Sequence, residues 1–571
     1  MKKDKVIKSV HRSNKRYALP CLAIICLVTF ISFSNCLKND WLNNWDDNIY
    51  VLGSESVQDP LATGIKKMFT SYETDNYHPL TTLSYSIGHK LYGFDAQKFH
   101  RDNLILHLLN VALVFWLIQL LVGRIEVSTI VTVFFAIHPM RVESVVWISE
   151  RKDVLYSFFY LVSIISYNFY VKKNEKKYLA CSFFLFLCSL LSKSAAVSLP
   201  MILFLVDYHY GKKIMKETIA EKIPFLLLSI ILGLIAISSQ SSANAIWVAP
   251  DFPIFDRIFL VSYSVLFYIV KMVAPINLSA LYLYPQKIDG FFPWIYYVCP
   301  IIILLIAIAI YRTKFFRREL IFGALFYLFS ISPVLQIIPV GRAITADRYS
   351  YIPYIGLFYI VAMFYSNFKT LFSQWSTRKP LLTVLLILAV GIFSVLTWKR
   401  NKIWKNSLSL ISDAIEKNSG AYLYQDYLYA SRGVAKEAYQ DYRGAVADYN
   451  EALNIRPAYV DVLYNRGADK YLLKDSIGAM ADYNEIIKLN PAYVKAYYSR
   501  GVLKIHQKDY DGAIADLDET LRLNPSYGDA YNSRGAAKYF ANRKEDACAD
   551  WMKAVQLGGE GSRSNIAKYC K

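Results

Sequence analysis

The sequence predicts an all-α protein, with a polytopic helical membrane core followed by an α-solenoid. Of its 571 residues, 55% are hydrophobic, which is a larger share than ordinary soluble domains carry. Apolar segments of membrane-crossing length follow one another as far as residue 398. Beyond that point the sequence repeats with a period of 34 residues. The first region therefore predicts membrane helices and the second a helical repeat domain.

The distribution of charge suits a membrane protein. A net charge of +19 could point to nucleic acid, but a nucleic-acid surface needs its Lys and Arg gathered on one soluble face. Here the basic residues stand in short runs between apolar segments, as cytoplasmic loops do under the positive-inside rule. We therefore expect membrane lipids, and no nucleic acid, as partners. The runs are Lys2–Arg16, Lys172–Lys177, Lys212–Lys222, Arg312–Arg318 and Lys369–Lys379.

The N-terminal segment predicts an uncleaved membrane anchor. Residues 1–16 form a basic cytoplasmic leader, and residues 17–37 are long enough to cross a bilayer core of roughly 30 Å. A cleaved signal peptide is the alternative, but no A-x-A-like site follows, and further apolar spans lie downstream. Residues 38–100 are then expected to form a large first loop on the extracytoplasmic side.

Residues 101–398 are expected to form the polytopic part of the membrane domain. If every apolar segment crosses, Arg312–Arg318 falls outside the cytoplasm, against the charge rule. If 255–275, with Lys271 and Pro275, is re-entrant, every basic loop becomes cytoplasmic. The sequence thus predicts about 11 transmembrane helices, with 13 as the next count. Besides the anchor, the segments lie near 101–123, 126–146, 153–171, 178–192, 195–210, 222–240, 255–275, 293–311, 317–337, 348–366 and 380–398.

The end of the chain has the period of tetratricopeptide repeats. Small residues and prolines recur every 34 residues, and the small residues let the two helices of each repeat approach closely. Residues 422–571 are therefore predicted as four stacked repeats with a concave surface, and residues 399–421 as a connecting half-repeat. An odd number of crossings places this domain outside the cytoplasm. The recurring residues are Gly433, Gly467, Gly501 and Gly535; Ala445, Ala479, Ala513 and Ala547; and Pro457, Pro491 and Pro525.

Two further patterns are expected to be structural. An arginine precedes each repeat glycine where leucine is usual, and we interpret this ladder as a solvated structural feature rather than a ligand site. The eight cysteines show neither CxxC pairs nor zinc spacing, so most are expected to be small buried hydrophobes. The ladder consists of Arg432, Arg466, Arg500 and Arg534.

Ionisable residues beside apolar spans are the candidate functional residues. Charge at membrane depth costs about 2.5 to 3.5 kcal/mol for each residue. In the eleven-crossing topology all of these groups fall on the extracytoplasmic side, which predicts one polar site under the first loop. Carboxylates can deprotonate a hydroxyl or hold a divalent ion, and Arg and Lys can stabilise a leaving phosphate. The segments are 45–48, 77–81, 100–102, 136–144, 149–153, 191–194, 341–342 and 346–351.

The same segments resemble a known family. The sequence is similar to the bacterial relatives of the transmembrane and tetratricopeptide-repeat O-mannosyltransferases. The resemblance implies a GT-C fold, a polyprenyl-phosphate-linked sugar donor (mannose in the animal members), and a Ser or Thr of an extracytoplasmic protein as acceptor, bound by the repeats. A bacterial inner membrane is the implied location, with an endoplasmic reticulum as the alternative. The resemblance is carried by Trp45-Asp46-Asp47-Asn48, His138-Pro139-Met140-Arg141-Val142-Glu143, Ser149-Glu150-Arg151-Lys152-Asp153, Leu191-Ser192-Lys193 and Asp347-Arg348-Tyr349.

By that analogy each candidate residue has an expected role. Asp46, with Asp47 beside it, is the first choice for the catalytic base. No cofactor is assigned, and a divalent cation without assigned ligands stays open. Ser194 departs from the family, where a different residue often follows the lysine. The residues expected to bind the donor phosphate are Arg141, Arg151, Lys152, Lys193, Arg342 and Arg348, and the other expected site residues are His78, His138, Glu143, Glu150, Asp153 and Asp347.

Structural interpretations stay open beside these functional ones. Asp46 and Asp47 can cap a loop helix, His78 and His138 can be interfacial side chains, and the charges of 141–153 can form an ion-pair network. For the whole chain, the alternatives are sugar transfer to a lipid or envelope glycan and a non-catalytic membrane scaffold that works through its repeats. A transporter is disfavoured because the membrane half shows no internal duplication.

Overall fold

The computed structural model divides the chain into two compact units, residues 1–423 and residues 424–571. Each unit has a hydrophobic core of its own. The structure describes residues 2–43, 45–59, 62–72, 76–213, 215–242, 252–314, 316–339, 341–368, 379–418, 420, 423–559 and 561–570, and the side chains of these residues apart from 2–16, 62 and 63.

The first unit is built mainly from α-helices. They are α1 Lys2–Phe33, α2 Glu55–Gln58, α3 Ala62–Thr70, α4 Pro79–Tyr92, α5 Ala96–Val122, α6 Ile125–Ile137, α7 Val142–Val146, α8 Arg151–Lys173, α9 Lys176–Ser192, α10 Leu199–Tyr210, α11 Lys216–Ala220, α12 Ile223–Ser242, α13 Ile254–Val273, α14 Trp294–Arg312, α15 Arg317–Ile331, α16 Tyr354–Ser366, α17 Lys379–Ile403 and α18 Ser407–Lys417.

Short turns and one small sheet join these helices. Strand β1 (Tyr282–Leu283) pairs antiparallel with β2 (Ala343–Thr345), so that Tyr282 lies opposite Thr345. Many of the predicted site residues lie on or beside the turns, where the chain changes direction. The 3-10 turns are Ser34–Lys38, Pro139–Arg141, Ile148–Glu150, Ser194–Ser198, Ser332–Val334 and Asp347–Ser350, and Asn48–Leu52 is a π-helical turn.

The first unit has the helices of a multi-pass membrane protein. Among the described residues, six helices are long and apolar enough to cross a membrane, or seven if Ile125–Ile137 and Pro139–Val146, bent by 59°, form one span. The predicted count of about 11 is not confirmed, since some predicted spans are short helices such as α10 and α16. The six are Tyr17–Lys38, Ala96–Val122, Ile148–Lys173, Lys216–Ser242, Trp294–Arg312 and Lys379–Ile403.

Three boundaries differ from the sequence prediction. The first loop, expected at 38–100, contains α2, α3 and α4, and α5 already begins at Ala96. The segment expected to be re-entrant is a continuous 20-residue helix, α13. Residues 399–403 of the expected half-repeat end α17, and α18 lies within the first unit. Hydropathy marks apolar stretches, but it does not mark where a helix begins.

Close backbone packing fixes α15 against α16. A Cβ atom on Gly323 of α15 would lie 2.6 Å from the carbonyl oxygen of Gly356 in α16, and a Cβ on Gly356 would lie 2.4 Å from that of Gly323. No side chain fits in such a space. Small residues of this kind let membrane helices approach closely, and here they hold the start of α16 just after the Asp347–Ser350 turn.

The described part of the second unit contains four helix pairs and a closing helix, which confirms the tetratricopeptide prediction. The helix-B residues Tyr449, Tyr483, Leu517 and Trp551 are all buried, at 0 to 3% exposure. A Cβ on Gly433 would lie 2.4 Å from the Tyr449 ring, so glycine lets the two helices meet. The helices are α19 Gln425–Ala438, α20 Tyr442–Ile455, α21 Val460–Leu472, α22 Ser476–Leu489, α23 Val494–His506, α24 Tyr510–Leu523, α25 Gly528–Phe540, α26 Lys544–Gln556 and α27 Gly561–Tyr569.

The arginine ladder is structural, as predicted, and it is only partly exposed to solvent. In the third repeat, Arg500 donates to both carboxylate oxygens of Asp516 at 2.9 and 2.6 Å, and to Asn484 of the preceding repeat at 2.6 Å. Each ladder arginine is only 17 to 23% exposed. The sequence missed that each arginine has an aspartate 16 residues later. The pairs are Arg432–Asp448, Arg466–Asp482, Arg500–Asp516 and Arg534–Asp550.

Two cysteines have a role that the sequence did not reveal. Cys548 of α26 and Cys570, just after α27, form a disulfide between Cα atoms 5.7 Å apart. The bond ties the closing helix to the last repeat, so these two residues are not the free buried cysteines that were predicted. Of the remaining six, Cys36 and Cys299 are buried and Cys181 is exposed.

Candidate active site

A sharp bend in the chain carries the first acidic residue of the site inward. Helix α6 ends at Ile137, and Pro139 starts the 3-10 turn that follows, because proline cannot donate a helical hydrogen bond. The axis turns by 59°, and α7 then places Glu143 in its first turn.

The next turn brings three more charged residues to the same place. The Ile148–Glu150 turn leads directly into α8, whose first turn carries Lys152 and Asp153. Lys193 caps the C-terminal end of α9, and Arg348 lies on the Asp347–Ser350 turn. We call the set of six the charge cluster; it consists of Glu143, Glu150, Lys152, Asp153, Lys193 and Arg348.

Glu150 is the centre of the charge cluster. One of its carboxylate oxygens lies 3.1 Å from Lys152 Nζ and 3.3 Å from Arg348 Nε. The other lies 3.4 Å from Lys193 Nζ. A single carboxylate therefore gathers cations from α8, α9 and the Asp347–Ser350 turn, which are far apart in sequence.

The other two carboxylates each hold one cation in position. Glu143 forms an ion pair with the Arg348 guanidinium and accepts a hydrogen bond from the Arg348 backbone N–H at 2.9 Å. Asp153 pairs with Lys193 and accepts from the Ser144 hydroxyl at 3.0 Å. Because buried charges must be paired, these contacts explain how six ionisable residues can lie among apolar helices.

The two signs of charge occupy different depths. The carboxylates of Glu143, Glu150 and Asp153 are 1 to 2% exposed, whereas the side chains of Lys193, Lys152 and Arg348 are 11, 13 and 20% exposed. The acids thus form a buried layer, and the cations form the accessible face above it. An approaching anion would meet these cations before the three buried acids.

Asp46 and Asp47, adjacent in sequence, have different surroundings. Asp47 is fully buried, and its carboxylate accepts from the backbone N–H groups of Leu42 (3.0 Å) and Ser149 (2.9 Å). Burial raises the pKa of Asp47 to about 6, although these hydrogen bonds oppose the shift. Its contacts tie the first loop to the Ile148–Glu150 turn. Asp47 therefore positions the loop and is not accessible to a substrate.

Asp46 is the carboxylate of the pair that has no described hydrogen-bond or ion-pair partner. It is half-buried, and among the described residues no hydrogen bond or ion pair holds it. Burial raises the pKa of Asp46 above its ordinary value, while the positive charge of Lys152 lowers it. Arg348 and Glu150 also act on this pKa, so Asp46 faces the charge cluster.

His78 lies at another edge of the charge cluster. It caps the start of α4, and Thr81, one turn later, donates to the Ser192 carbonyl at 2.9 Å, next to Lys193. Burial, then the positive charges of Lys152 and Lys193, lower the pKa of His78 to about 3. The imidazole is consequently neutral at physiological pH, and it can serve as a hydrogen-bond partner but not as a cationic acid.

Aromatic rings orient the cations, and sequence reasoning did not assign them to the site. Lys152 Nζ lies 5.1 Å from the Tyr50 ring centroid, and the Arg348 guanidinium lies 5.6 Å from Trp147 and 4.9 Å from Tyr349. Contacts of this kind hold a cation in place by attraction to the ring face. Trp147 stands shortly before Glu150, and Tyr349 stands directly after Arg348. This closeness in sequence to charged residues is the signal that could have identified the two rings.

Arg151 and Arg141 lie outside the charge cluster. Arg151 is 2% exposed and donates to the Asn103 side chain and to the carbonyls of Ser84 and Phe99. Arg141 is fully buried between the rings of Phe135, Tyr351 and Tyr354. Both side chains are directed into the protein interior and away from the charge cluster, so the structure does not bring these two predicted phosphate ligands together with the cations of that cluster.

Three further predicted site residues have their described contacts outside the charge cluster. His138 is buried, with Nε2 at 3.1 Å from the Met272 carbonyl. Asp347 is buried and accepts from the Tyr282 hydroxyl at 2.7 Å, and burial raises its pKa to about 6. Arg342 is exposed beside β2. The first two stabilise the local structure, and the third faces solvent.

The described residues do not fit a divalent metal. Among them, no group of three or more His, Cys, Asp or Glu side chains could hold such an ion. The three clustered carboxylates already pair with cations, so a metal would have to displace a lysine or an arginine. We therefore derive no step through a metal.

Curated proteins similar to this chain carry the name that the motifs suggested. Protein O-mannosyl-transferase F38B6.6 of Caenorhabditis elegans is 23% identical over 74% of this chain and 62% of its own length. Protein O-mannosyl-transferase TMTC2 of Homo sapiens is 28% identical over 32% of this chain and 23% of its own. The chain is a relative of these proteins. TMTC4 of Mus musculus is 24% identical over 27% of this chain and 24% of its own.

The chain matches only part of each relative. It spans 62% of the length of the worm protein and about a quarter of the mouse and human ones (24% and 23%). No protein-family model matches the chain. The relatives named above confirm the resemblance to the O-mannosyltransferases.

Solved structures are similar to this chain over a smaller part of its length than the worm protein is. The crystal structure of MamA is 18% identical over 28% of this chain and 90% of its own, with a TM-score of 0.25. The structure of YrrB, titled a TPR protein with an unusual peptide-binding site, is 19% identical over 31% of this chain and 88% of its own, with a TM-score of 0.26. The repeat assignment rests on the helix pairs described above.

Proposed function

We propose that this protein is a membrane glycosyltransferase of the GT-C type, which moves a sugar from a polyprenyl-phosphate carrier to Ser or Thr hydroxyls of an extracytoplasmic protein. One observation carries the proposal: three cations, held above a buried layer of acids, lie near the Asp46 carboxylate, which no described residue pairs with. The relatives named protein O-mannosyl-transferases support mannose as the sugar.

Asp46 is the proposed catalytic base. A base must be accessible and must have an oxygen free to accept a proton. Asp46 meets both conditions, since it is half-buried and no described residue pairs with it. Asp47 meets neither, because Leu42 and Ser149 occupy its oxygens.

Lys152, Lys193 and Arg348 are the proposed phosphate ligands. Charge develops on the phosphate oxygen as the bond to the sugar breaks, and cations already held in place stabilise that charge without reorganisation. The buried acids and the rings of Tyr50 and Trp147 hold the cations. The guanidinium can contact two phosphate oxygens at once, and each lysine supplies a compact charge.

The proposed reaction is a single inverting displacement. Asp46 takes the proton from the acceptor hydroxyl, and the oxygen attacks the anomeric carbon of the donor. The bond between that carbon and the phosphate oxygen breaks, and its electron pair stays on the polyprenyl phosphate, which the cations receive. The products are the O-glycosylated protein and polyprenyl phosphate, with the proton on Asp46.

The repeat domain is proposed to bind the acceptor protein on the extracytoplasmic side. Its stacked helix pairs suit binding of an extended chain. The Cys548–Cys570 disulfide supports this orientation, because disulfides persist in oxidising compartments and are rare in the cytosol. A bacterial inner membrane with a cytoplasmic N-terminus agrees with the basic leader at residues 2–16.

An Asp46→Asn substitution tests the proposal. The full-length variant, reconstituted in membranes with polyprenyl-phosphate mannose and extracted envelope proteins, should bind the donor but transfer no detectable sugar, as read by mass spectrometry of the proteins. Asp40→Asn is the matched control. Asp40 is exposed in the same loop and lies outside the charge cluster, so its variant should retain full transfer.

Other outcomes separate the rival functions. Transfer retained in Asp46→Asn would exclude this residue as the base. Sugar found on a lipid or an envelope glycan, and not on protein, would favour the alternative acceptor. A phenotype that survives neutralisation of Asp46, Lys193 and Arg348 together but is lost on truncation after Trp398 would indicate a scaffold.

A further inference from the structure

A second basic site lies in the first unit, away from the charge cluster. A cavity of about 770 Å³ opens between the C-terminal end of α10 and the N-terminal end of α15. Four cationic side chains line it against one acidic side chain, Glu319. The four cations are Lys212, Lys314, Arg317 and Arg318.

These cations have no anionic partner. Among the described residues, no carboxylate lies within 4.0 Å of any of the four, and even Glu319 forms no ion pair. Two of them lie near rings: Lys212 lies 5.4 Å from the Tyr170 centroid and Arg317 lies 4.9 Å from that of Tyr311. Four cations against one carboxylate give the cavity a net positive charge, which favours binding of an anion.

Arg318 builds one wall of the cavity. Its guanidinium donates to the Tyr208 and His209 carbonyls at 2.7 Å each, which closes the end of α10. A Cβ atom on Gly211, whose φ is +71°, would lie 3.4 Å from the same group. The wall is thus a fixed part of the fold, and Lys314 and Arg317 stand exposed at its mouth.

The cavity lies at the level where helices leave a membrane. Lys314 follows the candidate span Trp294–Arg312 by two residues, and Lys212 precedes the span Lys216–Ser242 by four. Helix α10 begins beyond Lys193 and the Ser194–Ser198 turn, and α15 ends beside that turn. At 1.5 Å per residue the two helices are about 18 and about 22 Å long, so the cavity lies at the opposite ends of α10 and α15 from the Ser194–Ser198 turn, which follows Lys193.

The geometry points to a binding site for the phosphodiester headgroup of an anionic glycerophospholipid, seated between α10 and α15. Basic pockets between membrane helices on the cytoplasmic side have this chemistry. The cations meet the phosphate, and the apolar surface of α14, with Leu304 and Leu305 each 59% exposed, lies beside the acyl chains. This site is independent of the proposed transfer reaction.

Lipid binding by the full-length protein tests the inference. Native mass spectrometry in detergent, with added phosphatidylglycerol or phosphatidylcholine, should show tight binding of phosphatidylglycerol alone. The double variant Lys314→Gln, Arg317→Gln should lose about 30-fold in affinity, which corresponds to about 1 kcal/mol for each basic side chain at a membrane surface. Arg318 is left intact because it closes α10.

A matched control separates a site from general attraction. Lys176→Gln with Lys177→Gln removes two exposed cations from another loop that is predicted to be cytoplasmic, and it should leave phosphatidylglycerol binding unchanged. Equal losses in both double variants, no preference between the two lipids, or displacement of the lipid by millimolar inorganic phosphate would each overturn the inference. If the pocket variant melts at a lower temperature, Lys212→Gln replaces it, with an expected loss of about fivefold.

Discussion

The two units of the molecule use the same charged groups for opposite purposes. In the repeat unit, Arg500 donates to Asp516 and Asn484, and Lys504 adds a contact to Asp516 at 2.9 Å. Both cations are directed at groups of the protein itself. In the membrane unit, Glu150 gathers three cations beneath an accessible face, and Asp46 beside them has no partner in the part of the chain that the structure describes.

The difference lies in the partners of the charges and not in their exposure. The ladder arginines are 17 to 23% exposed, and the cluster cations are 11 to 20% exposed. The ladder pairs each arginine with an aspartate of its own repeat, whereas the charge cluster leaves Asp46 beside it without a partner among the described residues. Ion pairs with the buried acids hold the cluster cations in place, where they can meet an anion that is not part of the protein.

Removing one lysine from each unit should give the largest difference in sugar transfer between the two units. Lys193→Met takes away a proposed phosphate ligand, so kcat/KM for sugar transfer should fall about 100- to 1000-fold. Lys504→Met removes an equivalent partner of Asp516 in the ladder and should leave transfer unchanged. The measurement is initial transfer rate against donor concentration in reconstituted membranes, with insertion checked by protease protection. Equal effects of the two variants would contradict the distinction between the units.

Removing one arginine of the ladder should lower the stability of the repeat unit rather than change the transfer chemistry. Arg500→Met leaves Asp516 buried with one cation in place of two, so urea unfolding of residues 424–571 should lose about 1 to 3 kcal/mol. Arg522→Met is the control, because Arg522 is exposed and pairs only with Glu519 within one helix; we expect no measurable change. An unaltered unfolding midpoint in the first variant would show that the ladder contributes little.

The pH dependence of transfer sharpens the assignment of Asp46. Its carboxyl must be ionised to act as base, so transfer falls as pH drops through its pKa. Burial raises that pKa above the ordinary value, and Lys152 lowers it. Removing the positive charge in Lys152→Met should therefore raise the pKa and move the acid limb of kcat, measured at saturating donor, to higher pH. If the acid limb of kcat does not move, a group other than Asp46 controls it.

The sequence could predict two kinds of feature: residues that recur at a fixed period, and charged residues among apolar segments. The repeats were recognisable because each unit fills its core with residues at a fixed spacing, such as Gly433 against Tyr449. Glu150, Lys152 and Lys193 stood out as charges among apolar segments. Their neighbour Arg151 looked equivalent, yet one residue turns a helix by about 100°, which directs Arg151 toward Asn103 and away from the charge cluster.

Other features depend on contacts that sequence does not encode locally. Asp47 differs from Asp46 only because Leu42 and Ser149 lie against it. The Cys548–Cys570 pairing requires α27 to fold back on α26, and no spacing rule gives that connectivity. The predicted number of membrane crossings is not confirmed for a related reason, because an apolar segment of the sequence, such as that of α10, does not by itself give the length of its helix.

The most direct test of the central claim is a structure of the full-length protein with a non-hydrolysable polyprenyl-phosphate sugar bound. The account predicts the phosphate within contact of Lys152, Lys193 and Arg348, with the anomeric carbon facing the Asp46 carboxylate. A phosphate bound elsewhere, for example in the basic cavity between α10 and α15, with the charge cluster unaltered, would contradict it.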